Sequence, residues 1–483
     1  MSGITLMGLG PGSPDQVTRE AWGVLASAEE VWLRTAQHPA VSGLLGRTVL
    51  HSFDDLYENG QSYDEVYGNI VQRVMELGRR DKGVLYAMPG HPFIAEATGP
   101  RILQTARDEG IPVRIIAGLS FIEPVFAALG LDPFPRLTLC DALTLGTHHV
   151  PLFPPDAPAL VAQVYSRLVA AEVKSVLNAI YPDQHRVALV HAAGTPQQVV
   201  EDLALFEIDR SEKIGALTCL FVPPIGDGSS LEALQEVVAH LRAPEGCPWD
   251  REQTHASLRR HLLEEAYEAI EAMDSESPEA MREEFGDLLL QIMLNSQIAA
   301  EMGEFTVNDV SQGIREKIIR RHPHVFGDVQ VDGVEGVLAN WERLKEVERG
   351  AKAGAGGLLD GVPRSLPALG QAQEYQERAA RVGFDWPEVQ GVLDKIAEEI
   401  GEVRTATTPG ALADELGDLF FALVNLSRWK EVDAESALRG ANTRFKKRFG
   451  FIENSARQQA RNLSDLSLEE MEVLWQQAKA ADG

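Results

Sequence analysis

The sequence contains very few cysteines: Cys140, Cys219 and Cys247 stand far apart among 483 residues, and none belongs to a CxxC pair. A disulfide framework and a cysteine-based zinc site are therefore excluded, so any metal must be held by oxygen ligands. The chain also lacks the roughly 18 consecutive apolar residues that a membrane helix needs, and its first residues show neither a secretory signal nor a transit peptide. We expect a cytoplasmic protein that does not enter membranes.

Positive charge is scarce as well. The chain has 44 basic against 72 acidic residues, a formal net charge of −28. Such a field opposes the counterion release on which binding to long nucleic acids depends, so polymeric DNA or RNA is not an expected partner. Small phosphorylated ligands are compatible with this charge where a divalent cation bridges them to clustered carboxylates.

The pattern of the chain changes after residue 222, and its length exceeds what one hydrophobic core holds. Residues 1–222 alternate short β-rich runs with helix-like stretches, which predicts an α/β domain with a largely parallel sheet. The predicted strands are 4–7, 31–34, 84–88, 113–117, 160–164, 187–191 and 217–222. Residues 223–230 predict a linker. Residues 231–349 and 366–483 show helical periodicity and predict two all-α units, joined by a flexible linker at 350–365.

The two helical units repeat the same motifs in the same order, which indicates a tandem duplication. The matching segments are 246–249 with 383–386, 264–268 with 398–402, 284–288 with 415–419, and 317–321 with 444–448. Such agreement over several motifs is better explained by duplication than by chance.

Each copy carries two pairs of carboxylates at helical spacing. Glu265 and Glu268 share one helix face, as do Glu284 and Asp287 on the next helix, because positions i and i+3 are neighbours. Two antiparallel helices would bring the four together, and Mg²⁺, which prefers hard oxygen ligands, would relieve their repulsion. The second copy repeats the set as Glu399, Glu402, Glu415 and Asp418. One such pair is more often a solvated acidic face, but the pairing and its recurrence favour a metal site.

Basic residues follow each carboxylate set on one helix face. They are Lys317, Arg320 and Arg321 in the first copy and Arg444, Lys447 and Arg448 in the second. Such side chains stabilise charge on phosphates, which predicts a triphosphate site, although surface pairing at i,i+4 spacing would give the same pattern.

Glycine and tryptophan also recur in both copies. Gly286 and Gly417 each cost roughly 1 kcal/mol in a helix interior, which predicts a close approach of two helices there. Four tryptophans are able to stack on a base, but core packing is the favoured interpretation for each of them. They are Trp249, Trp341, Trp386 and Trp475.

The CPWD, EExxE, ExGD and KxxRRHPHVFGD motifs resemble those of MazG-type nucleoside triphosphate pyrophosphohydrolases, over about residues 231–349 and 366–483. The resemblance implies a dimeric, Mg²⁺-bound four-helix bundle that cleaves an NTP to NMP and pyrophosphate, in a nucleotide-pool house-cleaning role. It implies that the eight carboxylates above are metal ligands, and that Glu264 or Glu398 orients the attacking water. Both sets are intact, so either copy is a candidate for the active one.

Three glycine-containing turns follow predicted strands in residues 1–222. They contain Gly8, Gly10 and Gly12; Pro89, Gly90 and His91; and Gly118 and Ser120. Turns at the carboxyl ends of parallel strands gather in one crevice, which predicts a ligand site, although tight turning alone would explain each of them. The first turn is not a GxGxxG fingerprint, and Pro11 disfavours the helix start of a dinucleotide site.

Together with Gln163-Val164-Tyr165-Ser166-Arg167, these turns resemble the tetrapyrrole (corrin and porphyrin) methylase family over residues 1–222. The resemblance implies S-adenosylmethionine bound between two α/β halves and a tetrapyrrole-like acceptor. Ser13 stands where the family has Asp, and Ala117 where it has proline, so the resemblance does not name the acceptor. Two alternatives stay open: a methyltransferase with the helical half as its partner, and a first domain that senses a small ligand and regulates the hydrolase.

Overall fold

The fold was analysed in a computed structural model that describes residues 3–44, 48–60, 62–337, 340–341, 343–344 and 357–481. Residues 345–349 and 482–483 of the predicted helical units and residues 350–356 of the predicted linker lie outside the described residues. The chain divides into two compact units, Met1–Gly313 and Ile314–Gly483. The predicted domain boundaries are different, and they stay predictions.

Among the described residues, ten strands form two five-stranded sheets in the first unit. They are β1 (Ile4–Gly8), β2 (Glu30–Leu33), β3 (Val49–Ser52), β4 (Val84–Met88), β5 (Val113–Ile116), β6 (Thr138–Asp141), β7 (Ala159–Ala162), β8 (Arg186–His191), β9 (Val199–Ala204) and β10 (Thr218–Val222). The strand orders are β3-β2-β4-β1-β5 and β6-β7-β10-β8-β9. The α/β class is therefore confirmed.

The two sheets differ in strand direction. Every pair in the first sheet is parallel, as predicted. In the second sheet only β6 and β7 run parallel, whereas β7, β10, β8 and β9 pair antiparallel. The prediction of a largely parallel sheet is wrong for this half, because a short connection returns β9 directly alongside β8 as a hairpin.

In the part of this domain that the structure describes, seven helices accompany the sheets: α1 (Arg19–Ser27), α2 (Asp54–Asn59), α3 (Tyr63–Gly78), α4 (Thr98–Asp108), α5 (Ile122–Leu129), α6 (Ala142–Gly146) and α7 (Arg167–Leu177). Some of them start at hydroxyl caps, such as Ser62 before α3 and Ser166 before α7, whose oxygens accept backbone N–H groups of the first turn. Their apolar faces pack on the sheets, where β1 and α3 bury Leu6 and Ile70 completely.

The rest of the described chain is helical, as predicted. Its helices are α8 (Leu231–Arg242), α9 (Pro248–Glu252), α10 (His255–Asp274), α11 (Pro278–Glu301), α12 (Val307–Arg321), α13 (Pro323–Phe326), α14 (Ala368–Arg381), α15 (Val389–Thr405), α16 (Pro409–Trp429), α17 (Ala434–Gln458) and α18 (Leu468–Ala481). None of the described helices has an apolar stretch long enough to cross a bilayer.

Two helical hairpins organise the carboxylates. Helices α10 and α11 pack together in the first unit, and α15 and α16 pack together in the second. Both second helices begin with a hydroxyl cap followed by proline, Ser277-Pro278 and Thr408-Pro409, which stops the preceding helix and starts the next. The short connections turn the chain back on itself, so residues at equal distance from the turn face each other.

The predicted linker at 223–230 is tied to the α/β domain. The Ile225 N–H donates to the Pro155 carbonyl at 2.9 Å, and Ser230 donates to Asp156 at 2.6 Å while capping α8. Residues 357–362 likewise contact α14, because Arg378 donates to the carbonyl of Asp360 at 3.0 Å.

Candidate functional site

The first hairpin brings three carboxylates together. Oxygens of Glu265, Glu268 and Glu284 lie within 4.8 Å of one another. Partial burial, and then the charges of Asp287 and Glu268, raise the pKa of Glu265. Asp287 is outside the three-residue group, but its charge acts on the group. The predicted set therefore converges, with three members in contact range and the fourth beside them.

The second hairpin also brings three carboxylates together, in a more buried setting, but here Asp418 is a member of the group and Glu402 is outside it. Oxygens of Glu399, Glu415 and Asp418 lie within 4.8 Å of one another. Burial, followed by the charge of Glu399 and a hydrogen bond with Glu415, raises the pKa of Glu402. Glu399 is only 2% exposed, and its Oε2 has no hydrogen-bond partner among the described residues. A buried carboxylate oxygen without a partner is costly, and a bound cation would offset that cost.

A lysine distinguishes the second cluster from the first. The Lys395 ammonium lies 2.6 Å from Glu399 and 3.0 Å from Glu398, and these partners raise its pKa. His261 holds the equivalent place in the first copy, 3.8 Å from Glu264. Glu264 and Glu398, the predicted water-orienting residues, thus lie beside the clusters but outside the groups in contact range.

A divalent cation fits either donor set, because three carboxylates supply the hard oxygen ligands that Mg²⁺ prefers. The residues that would hold it are Glu265, Glu268 and Glu284 in the first copy and Glu399, Glu415 and Asp418 in the second.

A cavity of about 700 Å³ adjoins the second cluster. Helices α14, α15 and α16 and the segment 383–386 line it. Glu399, Asp418 and Lys395 contribute the charged end, and Tyr375, Phe384, Trp386 and Phe421 contribute aromatic surface. Gln376, Asn425, Asp385 and Arg428 add polar groups. An apolar cavity with a few polar groups and carboxylates at one end is typical of a small-molecule site.

Trp386 is part of this cavity rather than of a core. It is 43% exposed, and Trp249 is 58% exposed, so the preference for core packing is wrong for both. The Trp386 ring lies against Gly391 so closely that a Cβ at this position would overlap it. Glycine at 391 thus lets the indole lie flat beside α15, at the wall of the cavity.

The basic residues fall on single helix faces, as predicted, but their phosphate role stays a prediction. Lys317, Arg320 and Arg321 belong to the second compact unit and the Glu265 cluster to the first. Arg321 stacks over Trp341 and Arg448 stacks over Trp475, with 5.9 and 5.7 Å to the ring centroids. The second set, Arg444, Lys447 and Arg448, does not belong to the described lining of the cavity.

The prediction of a close helix approach at Gly286 and Gly417 is wrong. A Cβ at either position would meet no other atom within 4 Å among the described residues. These glycines therefore leave open space beside the carboxylates instead of admitting a neighbouring helix.

The glycine turns of the α/β domain converge as predicted. A Cβ at Gly8 or Gly118 would overlap the backbone of the other and the Gly90 carbonyl. Gly10 and Gly90 pair as an isolated bridge, in which the Gly90 N–H donates to the Gly10 carbonyl at 2.8 Å. Strands β1, β4 and β5 are adjacent in the sheet, so their carboxyl ends open on one crevice.

Other predicted residues of these turns have mainly structural contacts. Ser120 is 1% exposed and accepts the Ile122 N–H at 3.0 Å, at the start of α5. The His91 ring accepts the N–H of Phe93 at 3.1 Å. Pro89 is half-buried in the same turn.

The second sheet adds a turn that the sequence analysis missed. Gly194, with φ +75°, and Thr195 follow β8, and a Cβ on Gly12 would overlap the Thr195 methyl group. Gln163 and Ala192 have positive φ values of 64° and 47° directly after β7 and β8. Positive φ in non-glycine residues clusters at ligand sites, and the Ala-Gly-Thr turn after a strand was the available signal.

Comparison with known proteins assigns families to both halves. Residues 253–326 match the MazG nucleotide pyrophosphohydrolase domain, and residues 3–209 match the Tetrapyrrole (Corrin/Porphyrin) Methylases. A nucleoside triphosphate pyrophosphohydrolase/pyrophosphatase MazG from Thermotoga maritima is 44% identical, over 53% of this chain and 98% of that protein. This chain belongs to the MazG family.

In this MazG-family chain the α/β domain precedes the shared part. The Escherichia coli K12 nucleoside triphosphate pyrophosphohydrolase is 44% identical over 52% of this chain and 97% of that protein. An uncharacterized protein of Bacillus subtilis, YabN, is 40% identical over 99% of both chains, so it shares the whole architecture. A uroporphyrin-III-C-methyltransferase structure from Thermus thermophilus is 21% identical, with a TM-score of 0.37 over 46% of this chain and 94% of that one.

The sequence analysis also missed four polar residues of the cavity: Gln376, Asp385, Asn425 and Arg428. The contact of Lys395 with the cluster was predictable from the sequence, because Lys395 lies four residues before Glu399 on the same helix face. Asp385 lies in the repeated segment 383–386, although its place in the cavity was not predicted. Gln376 had no signal, since only the packing of α14 against α16 brings it to this site.

Proposed function

We propose that the helical half is a Mg²⁺-dependent nucleoside triphosphate pyrophosphohydrolase, which releases NMP and pyrophosphate and serves in nucleotide-pool house-cleaning. The observation that carries the proposal is the second cluster: three converging carboxylates, one buried oxygen without a partner, and an adjoining cavity of about 700 Å³. The names of the Thermotoga and Escherichia relatives describe the same reaction.

Each end of the proposed site has a separate task. Glu399, Glu415 and Asp418 hold the divalent ion, which, when bound, supplies charge stabilisation to the phosphates. Lys395 provides further positive charge on the cavity wall beside the cluster. Glu398, or Glu264 in the first copy, accepts a proton from the attacking water. The phosphate-binding role predicted for the basic sets on α12 and α17 is a separate proposal, because neither set lines the described cavity.

The test is pyrophosphate release from an NTP panel with Mg²⁺, in Glu265→Gln, in Glu399→Gln and in the double variant. Loss of a ligand carboxylate is expected to abolish the reaction at that site, so the double variant is inactive. The exposed Glu472→Gln serves as the matched control and retains full activity. Full activity in the double variant would overturn the proposal.

We also propose that the protein is a homodimer through the outer face of α16. Leu412, Leu416, Phe420 and Leu423 recur at helical spacing there and are 36–56% exposed. A contiguous apolar helix face of this kind is typical of an interface with a second copy. Light scattering is expected to give the mass of a dimer, and Phe420→Glu to lower it toward that of a monomer.

For the α/β domain we propose binding of S-adenosylmethionine in the crevice of the three glycine turns, with a tetrapyrrole-like acceptor as the second candidate ligand. The supporting observation is the mutual close approach of Gly8, Gly90 and Gly118, which leaves only backbone at the crevice floor. Calorimetric titration with S-adenosylmethionine tests this. An absence of binding heat would exclude both the methyltransferase activity and a role of S-adenosylmethionine as the sensed ligand.

A further inference from the structure

A lysine of the second copy contacts a carboxylate that the proposed cation site needs. Lys395 precedes Glu399 by one turn of α15, and its ammonium lies 2.6 Å from Glu399 Oε1. The same ammonium lies 3.0 Å from Glu398. Glu399 belongs to the group of three converging carboxylates, so one ligand of the proposed site already has a cation beside it.

Glu399 has little other compensation for its charge. It is buried, and its Oε2 has no hydrogen-bond partner among the described residues. Within the part of the chain that the structure describes, Lys395 is also the only side-chain cation paired with it. A divalent ion that approaches Glu399 therefore meets an ammonium at the same ligand, and the two positive charges repel each other.

The first copy lacks this competition. His261 stands where the second copy has Lys395, and its Nδ1 lies 3.8 Å from Glu264. Glu264 is outside the converging group of the first copy. Among the described residues, no basic side chain forms an ion pair with the three carboxylates of that group. A free divalent ion thus meets no competing cation there.

The Lys395 side chain also has access to the cavity. It is 39% exposed, and it lines the cavity together with Glu399 and Asp418. A phosphate group at this end of the cavity would lie within reach of the flexible four-carbon chain. The ammonium would then exchange one anionic partner for another, and no proton would be gained or lost.

We propose that Lys395 makes metal binding at the second site dependent on the nucleotide. Without nucleotide, the ammonium holds Glu399 and opposes the entry of a free divalent ion. The phosphates of an entering nucleotide take over the ammonium, which leaves Glu399 to the ion, so that ion and nucleotide bind together. The first site, with His261, takes up the ion alone. This inference deepens the proposed function and rests on it.

Binding of Mn²⁺, which suits the same oxygen ligands as Mg²⁺, tests the proposal without a catalytic readout. Electron paramagnetic resonance measures the free ion. The parent protein for this test is the full chain with Glu265→Gln, so that the second cluster is measured. The same chain with Glu399→Gln added gives the background binding of this acidic protein.

In the absence of nucleotide, Lys395→Met is expected to bind Mn²⁺ about tenfold more tightly than the parent, because a positive charge a few ångströms from the ion is removed. Lys446→Met is the same change at an exposed position outside the cavity and leaves the affinity unchanged. Equal affinities in Lys395→Met and the parent would overturn the proposal.

The reciprocal change is made in the first copy. His261→Lys in the full chain with Glu399→Gln is expected to weaken Mn²⁺ binding about tenfold, because the new ammonium lies one turn before Glu265. His261→Gln keeps the position uncharged and is the control. This arm decides the question even where Lys395→Met lowers the yield of folded protein, and an unchanged affinity in His261→Lys contradicts the competition.

The dependence on nucleotide is measured as a coupling between two ligands. Calorimetry gives the Kd of an α,β-methylene nucleoside triphosphate, which resists cleavage between these phosphates, with and without Mn²⁺. Mn²⁺ is expected to tighten nucleotide binding to the parent, and by a smaller factor to Lys395→Met, since linkage is reciprocal. Equal factors overturn the proposal. No pyrophosphate release by the parent from any nucleotide would instead refute the proposed function at this site.

Discussion

At the residue scale, Lys395 makes the two carboxylate clusters unequal. Its ammonium contacts Glu399 at 2.6 Å, whereas the first copy has His261 at the equivalent place, near Glu264. The second cluster therefore carries its own positive charge before any metal binds. In the first cluster, His261 contacts Glu264, which lies outside the group of Glu265, Glu268 and Glu284.

Removal of that lysine is expected to increase the dependence of the fold on metal. In Lys395→Met, buried Glu399 loses its nearest cation, so the thermal midpoint of unfolding falls in EDTA. Mg²⁺ is expected to raise the midpoint more than it does in the unsubstituted protein, because it replaces the lost charge. Melting followed by circular dichroism measures both shifts, and exposed Lys446→Met is the control. Equal shifts in the two variants would contradict the assigned role.

The raised pKa of Glu265 predicts that the stability of the fold decreases as pH rises, whereas an ion-paired carboxylate would have the opposite effect. The pKa of Glu265 is raised on folding, so the folded state holds the proton more tightly and stability falls as pH rises above the ordinary pKa of 4.5. Glu265→Gln is therefore expected to raise the unfolding midpoint in EDTA at pH 7. The gain should disappear below about pH 4, where the carboxyl is protonated in both states. A gain that persists at low pH would disprove the electrostatic explanation; exposed Glu304→Gln is the control.

The crevice of the α/β domain requires residues without a Cβ at Gly8 and Gly118. Gly118→Ala is expected to push the turns of Gly8 and Gly90 apart and abolish S-adenosylmethionine binding, measured by calorimetry. Gly68→Ala on α3, where a Cβ meets nothing within 4 Å, leaves binding intact. Pyrophosphate release is the second readout, and its retention in Gly118→Ala shows that the helical half still folds.

At the element scale, the helices were more predictable than the sheets. The three strands absent from the prediction, β3, β6 and β9, are all edge strands. Edge strands are half exposed, as the alternating burial of β9 shows, so they lack the continuous apolar runs that identified β4 and β8. The carboxylate pairs were predictable because helical spacing alone sets their common face. The cavity was not, because it forms only when three helices pack.

The start of α16 sets the position of Glu415 and Asp418. Thr408 accepts the N–H of Ala411 at 3.2 Å, and Pro409 follows as the first helical residue. Thr408→Ala is expected to lower the free energy of unfolding by about 1 kcal/mol, measured by urea titration. Thr408→Ser keeps the hydroxyl and should lie close to the unsubstituted protein. Equal losses in both variants would mean that the cap bond is not responsible.

At the scale of the whole molecule, the helical half offers two acidic clusters with different surroundings. The family assignment was accessible from sequence because the motifs are local, and the relatives confirm it. The homodimer, the tandem duplication and the cytoplasmic location stay predictions, as does the choice between a methyltransferase and a ligand sensor in the first domain.

The connection between the halves has a practical consequence for dissecting the protein. Ser230 caps α8 and at the same time bonds Asp156 of the α/β domain, while His185 contacts the Pro223 carbonyl at 2.9 Å. Expressing the two halves separately, with a break at this junction, would remove the hydrogen bond that holds the start of α8. It would also expose the buried Asp156 to solvent. Each half, expressed alone, would expose surface that is buried in the intact chain. Inactivating point substitutions in the full chain are therefore the cleaner way to assign its activities.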